Sequence, residues 1–281
     1  MTLKNNLKRE AVFLLPKEIL VVRKFVDHKP IDIHVVADVH FGSKECREKL
    51  FMDFIKMIEN TPNAYLILAG DLINNATKSS VSNSFDDIYR PSEQKKIMTK
   101  ILEPVKDRIL VGTDGNHEDR SCKDVDDDPM YDIFAKLDIE DRYRKNMAVL
   151  KINFGDSHRG AGGAVRNPTY VFAVTHGSGG GVLTGGSVNK AERYIYTLEG
   201  VDALITAHIH KPLNTTPSRW VVDSRRNVMK EVPMDVIIAT SWTRYADYAA
   251  RKMMPPTSNV LQKITIQGDK KEIEISNKHS Y

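Results

Sequence analysis

Cysteine is almost absent from this 281-residue chain, which has only Cys46 and Cys122. Two thiols cannot build a disulfide framework or a closed Cys-rich zinc site, so a reducing, cytoplasmic setting is expected. No apolar run approaches the roughly 20 residues that a bilayer-spanning helix needs. The opening MTLKNNLKRE is polar, and the apolar stretch after it is broken by Pro16, Lys17 and Glu18. That is not the form of a secretory signal, and no membrane partner is expected. A strong charge of either sign is also missing: the formal net charge is +4, which permits a polyanionic substrate without demanding one. Repeats, low-complexity tracts and an evident linker are lacking too. Residues 1–281 therefore read as a single domain, with an N-terminal edge segment (1–30), a catalytic core (31–245) and C-terminal strands (246–281).

What is present is an ordinary globular composition, 41% hydrophobic and 28% charged, and a recurring local pattern. Five short apolar runs, at 33–37, 65–69, 109–112, 170–175 and 203–206, have the Val/Ile/Leu-rich character of strands buried on both faces. They run directly into Asp38-Val39-His40, Gly70-Asp71, Gly115-Asn116-His117-Glu118, His176-Gly177 and His208-Ile209-His210. In open α/β sheets, ligand sites form just beyond the carboxyl ends of strands. Five such ends carrying Asp, His and Asn describe a metal site.

Between these runs, helices are expected at 44–60, at 92–103 with Ser92 as cap, at 129–137 after Asp128-Pro129, and at 187–199 with Gly200 as the stop. Residues 11–26 read as an edge strand or hairpin. Beyond residue 142 the chain turns strand-rich, and Gly268-Asp269 marks a hairpin. The expected class is α/β: two mixed sheets packed face to face with helices outside. His34 reads as a packed core histidine, Trp242, Tyr245 and Tyr248 as core packing, and residues 124–128 as a solvated turn capping the next helix. The basic groups Arg142/Arg144/Lys145, Arg159/Arg166 and Arg225/Arg226 read as solvated surface. The glycines at 177, 179–181, 185 and 186 could offer N–H groups to a phosphate or simply join strand to helix.

Residues two apart on a strand point the same way. Asp38 with His40 can therefore share one ion, as can His208 with His210 if the chain after Thr206 stays extended. Asp71 can bridge two cations through its two oxygens; Asn116 offers a carbonyl oxygen and His176 an imidazole. Mixed nitrogen and oxygen donors suit Mn, Fe, Zn or Ni better than Mg or Ca.

Taken together, these blocks resemble the calcineurin-like metallophosphoesterase superfamily, whose five motifs occur here in the family's order across residues 33–212. The stretch 175–186 and the later segment 241–248 resemble phage-type and bacterial nuclease-like members. The resemblance implies a pair of mixed sheets sandwiched by helices and two divalent ions, Mn foremost. One ion would be held by Asp38, His40, Asp71 and His210, the other by Asp71, Asn116, His176 and His208. His117 would face the leaving group. Ala207 stands where the family usually has Gly. Asn74 replaces the Asp that in many family phosphatases orients the catalytic His. Asn75 replaces the Arg of Ser/Thr protein phosphatases, which argues against that activity.

The implied reaction is phosphodiester hydrolysis, with DNA or RNA as the expected substrate class. A metal-bridging hydroxide would attack in line and His117 would protonate the departing alkoxide, with Asn116 neutralising phosphorane charge and Asn74 supporting His117. The alternatives are a phosphomonoesterase on nucleotides or nucleic-acid ends, and a metal-binding scaffold without activity. Oligomeric state is left open.

Overall fold

The computed structural model describes residues 19–78, 80, 87–155, 167–179, 184–245, 253, 255–256 and 259–279. Its first sheet is ordered β13-β12-β2-β3-β4, from β2 (Ile31–Val36), β3 (Ala64–Ala69), β4 (Ile109–Thr113), β12 (Val260–Ile266) and β13 (Ile273–His279). The second is ordered β1-β5-β6-β7-β11-β8. It uses β1 (Leu20–Phe25), β5 (Met147–Phe154), β6 (Thr169–Thr175), β7 (Ala203–Thr206), β8 (Leu213–Thr215) and β11 (Asp235–Ile238). A separate ribbon pairs β9 (Ser218–Asp223) with β10 (Val228–Pro233).

The α/β sandwich expected from the sequence is present. Val35, Ile67, Leu110 and Ile264 of the first sheet share one core with Leu150, Phe172, Val174 and Ile237 of the second. On the far side of the first sheet, α1 (Glu48–Asn60), α2 (Pro91–Leu102) and α4 (Pro129–Lys136) bury Phe51, Ile58, Met98, Leu102 and Ile133. On the far side of the second, α5 (Thr184–Ile195) packs Ala191 and Ile195 onto Leu204 and Val236. Four layers result, and each fully buried Leu, Ile or Phe contributes roughly 1.5–3 kcal/mol. Among the described residues, no helix is long and apolar enough to cross a membrane.

Several boundaries differ from expectation. Helix α1 begins at Glu48 because residues 44–47 are held in turns and a bridge between Cys46 and Thr243. Helix α2 begins at Pro91, so Ser92 lies inside the first turn, and the Glu93 carboxylate accepts the Arg90 N–H at 2.9 Å. The expected turn at 124–128 is preceded by a helix that was not expected, α3 (Glu118–Val125), whose end overlaps it. Its left-handed end at Asp126 is followed by Asp128, whose Oδ1 accepts Tyr131 N–H and caps α4. The strands beyond residue 142 also do not all enter one sheet. Strands β12 and β13 return to the first sheet, where β12 lies antiparallel to β2. Residues 11–18, Arg159, Arg166, Tyr248 and Gly180–Gly181 of the sequence reading lie outside the described residues.

Candidate metal centre

Strands β2, β3 and β4 run parallel, as do β6 and β7. The chain leaves all five at one end of the sandwich, and the motif residues follow immediately. Strand β2 stops at Val36, so Asp38 and His40 lie in the loop beyond it. Their pairing does not come from strand alternation, nor does the chain after Thr206 stay extended. Asp38, His40, Asp71, His208 and His210 all have left-handed backbones, with φ between 48° and 73°. They are five of the eleven non-glycine residues with positive φ among the described residues. Such conformations cost of order 1–3 kcal/mol each and persist where surrounding packing enforces them. Here the support is visible: Trp242, 1% exposed, sits against Phe51 and Phe54, and its main-chain N–H donates to the Asp38 carbonyl at 3.0 Å.

Each carboxylate has one oxygen occupied and one left over. Asp38 Oδ2 accepts His208 N–H at 2.9 Å, while Oδ1 is buried with no hydrogen-bond partner. Around that orphaned oxygen lie His210 Nε2 at 3.3 Å and His40 Nε2 at 3.8 Å, and the two imidazole nitrogens are 3.2 Å apart. Asp71 Oδ1 accepts His117 N–H at 2.8 Å. The oxygen open to both halves of the site is therefore Oδ2 alone, not one oxygen for each side. It lies 3.2 Å from His176 Nε2 and 3.9 Å from His40 Nε2. His176 Nε2 is in turn 3.2 Å from Asn116 Oδ1 and 3.3 Å from His208 Nδ1. Donor atoms spaced this way, with lone pairs converging, match edges of a coordination shell with bonds near 2.0–2.2 Å. Asp38/His40/His210 and Asp71/His176/His208 each form a set able to hold a cation.

The groups behind these donors fix their orientation. His176 Nδ1 lies 2.7 Å from the Ala69 carbonyl, which leaves Nε2 facing the site. Glu118, the last residue of its motif block and given no role from the sequence, is buried and accepts three backbone N–H groups: Asp71 at 2.9 Å, Ile73 at 3.1 Å and Gly115 at 3.0 Å. It ties the loop after β3 to the loop after β4. Burial and the Asp71 charge push its carboxyl up to about 8. A side chain at Gly115 would collide with the Asp71 carboxylate, so only glycine fits there.

His117 sits beside both sets, with Nδ1 2.8 Å from the Asn74 carbonyl and Nε2 3.8 Å from Asp71 Oδ2. The Asn74 amide does not hold the imidazole as expected; it donates to Asp87 Oδ1 at 2.6 Å, and the main-chain carbonyl meets His117 instead. A residue missed in the sequence completes the contact. Arg120, one turn along α3, brings its guanidinium to 2.9 Å from His117 Nε2. The Arg donates, so Nε2 is the acceptor and the ring is neutral with its proton on Nδ1.

These observations converge with a family match. The family model described as "Calcineurin-like phosphoesterase" matches residues 31–212. The chain belongs to that family. It is accordingly a metal-dependent phosphoesterase by family, and its clustered Asp and His residues suit divalent metal binding. No curated protein matches the sequence. Similar solved structures include a conserved uncharacterised protein, described as a predicted phosphoesterase, from Streptococcus pneumoniae. It has 9% identity and a TM-score of 0.36, over 90% of this chain and 100% of that one. Another is Vps29 of Chaetomium thermophilum, at 11% identity and a TM-score of 0.38, over 88% and 95%.

Charge balance in this phosphoesterase site gives a first expected result. Burial alone would lower His176, but the Asp71 carboxylate, with Asp38 behind it, pushes the imidazole up to about 10. Burial also opposes a charge on His210, and Asp38 overrides it in the same direction. In the metal-free protein the His176 proton balances part of the carboxylate charge, and His210 is shifted the same way. A metal needs the unprotonated nitrogen, so loading near pH 7 expels bound protons. Affinity should then rise with pH as these imidazoles deprotonate. Calorimetric titration with Mn in buffers of different ionisation enthalpy should show net proton release, shrinking as pH approaches 10; proton uptake or no exchange would contradict it.

Proposed function

We propose that this family member hydrolyses phosphodiesters, with nucleic acid as the substrate class, at a dinuclear centre bridged by Asp71. The observation that carries the reading is the position of Asp71 Oδ2 between His40 on one side and His176 on the other. Asp38, His40 and His210 would hold one ion; Asn116, His176 and His208 would hold the second. Bound there, two divalent cations supply Lewis-acid neutralisation of the phosphoryl group and an activated water.

The chain's own groups do the rest. Arg120 binds a non-bridging phosphoryl oxygen and in doing so leaves His117 Nε2. That nitrogen is then free to carry a proton to the departing alkoxide, while the Asn74 carbonyl keeps Nδ1 oriented. A diester is favoured over a monoester by the charge around the centre. The adjoining cavity, about 210 Å³, is lined by Asp114 and Asp119 with Asn116, Asn146, Thr175 and His176. Asp114 there opposes the second negative charge of a monoester dianion, while Asp119 is offset by its lysine partners. Lys123 and Lys145 at Asp119, and Lys190 at Ser178, stand near its rim, where neighbouring phosphates of a longer strand would pass.

The test is hydrolysis of bis-p-nitrophenyl phosphate, p-nitrophenyl phosphate and single-stranded DNA and RNA by the Mn-loaded protein. The reading expects diester cleavage to exceed monoester cleavage; a strong monoester preference overturns it. Arg120→Ala should raise KM about ten- to a hundredfold, the range of a lost charge-assisted hydrogen bond, with Arg120→Lys recovering part. Unchanged KM in the alanine variant would remove Arg120 from substrate binding.

A further inference from the structure

The β9–β10 ribbon leaves the sandwich at the end remote from the metal centre. Strand β11 runs parallel to β7, whose far end reaches the ligand histidines, and β10 enters at the start of β11. The ribbon joins neither sheet. One face, with Arg219, Val221 and Asp223, is half-buried, and Arg219 Nη1 donates to the Leu198 carbonyl at 2.7 Å. The other face presents Trp220, Val222 and Met229, exposed by 67%, 67% and 60%. Val222 pairs directly across from Met229, and Trp220 across from Glu231, so all four share that face. A projecting patch of exposed apolar side chains of this kind marks a contact surface.

Its charge pattern says what covers it. Two residues from the Val222–Met229 pair toward the ribbon's base lies Glu231; three residues the other way lie Arg225 and Arg226 at the tip. Among the described residues neither Glu231 nor Arg225 has an ion-pair partner, and Arg226 has only a 4.0 Å approach to Asp223. A surface that is apolar at its middle, acidic at one end and basic at the other is complementary to itself turned end for end. We infer that the outer face of the ribbon docks on the same face of a second copy of this chain across a two-fold axis. Val222 and Met229 of the two copies meet at the centre. The tip arginines of each copy reach Glu231 and the face of Trp220 in the other, an ion pair and a cation–π contact. The patch is small, so the association belongs to the weak, transient class of interfaces.

The inference is independent of the phosphoesterase reading. The test is sedimentation velocity of the whole protein from low to high micromolar concentration, followed in parallel by tryptophan emission. Trp242 is buried in the core, so a concentration-dependent blue shift reports Trp220. A monomer–dimer equilibrium is expected for the native chain. It should be lost, by tenfold or more in the dissociation constant, in Met229→Lys and in Glu231→Arg. Combining Glu231→Arg with Arg225→Glu and Arg226→Glu should restore it, an outcome that misfolding cannot mimic. A chain that stays monomeric throughout, or a dimer indifferent to these changes, overturns the proposal. So does a ribbon whose substitutions alter only binding of added nucleic acid.

Discussion

Asp71→Asn should leave the fold intact and reduce hydrolysis by about 10³-fold or more. The amide oxygen can still accept His117 N–H, the contact now made by Oδ1 at 2.8 Å. The loop also keeps its ties to Glu118 through the Asp71 and Ile73 N–H groups. What disappears is the negative charge shared by the two donor sets. Lewis-acid stabilisation of a phosphoryl transition state amounts to several kcal/mol, and each 1.36 kcal/mol is tenfold in rate. The same substitution removes the main charge that keeps His176 protonated without metal. Proton release on Mn addition should therefore shrink together with metal content. Full activity with normal metal content would remove Asp71 from the centre; loss of the folded state would show as altered circular dichroism.

His117→Gln should separate proton donation from metal binding. No part of the proposed coordination uses His117, so Mn content should be unchanged. With an alkoxide leaving group, kcat should fall by about 10²–10⁴-fold, the usual worth of a positioned general acid. With p-nitrophenolate, which departs without help from a proton, the loss should be far smaller. Burial, with Arg120 adding to it and Asp71 opposing, holds the His117 ring below the ordinary imidazole range. In the proposed mechanism His117 would therefore take up its proton from solvent in the substrate complex, once Arg120 has moved onto the phosphate. A variant equally impaired on both leaving groups would point to a structural role for His117.

Most of the core was legible because its signal is local. Strands β2, β3, β4, β6 and β7 are short apolar runs followed at once by polar metal-type residues, and both halves of that signal lie within about ten residues of sequence. Trp242 and His34 read as core residues and both are buried, whereas Tyr245, read the same way, is 50% exposed. What escaped is what depends on distant neighbours or on backbone shape. The antiparallel return of β12 onto β2 joins residues more than two hundred apart, such as Lys263 and His34, and no local pattern announces it. Strand β10, with Lys230, Glu231 and Pro233, has no buried face to impose alternation. Helix α3 is strongly charged and nearly without apolar residues, so it carries no helical stripe to read. With that helix missed, the spacing of three that brings Arg120 over His117 carried no meaning. The left-handed turns at Asp38, His40, His208 and His210 were equally hidden, since sequence records ligand type and not backbone handedness. For Asn74, side-chain chemistry suggested an amide contact where the chain supplies a carbonyl.

The central claim is that one carboxylate oxygen sits between two cations. Crystals of the Mn-loaded protein, with data collected at the manganese absorption edge, test it most directly. Two anomalous peaks about 3.5–4 Å apart are expected, both touching Asp71 Oδ2, one near His210 and the other near Asn116. A single peak, or two that do not share Asp71, would contradict it.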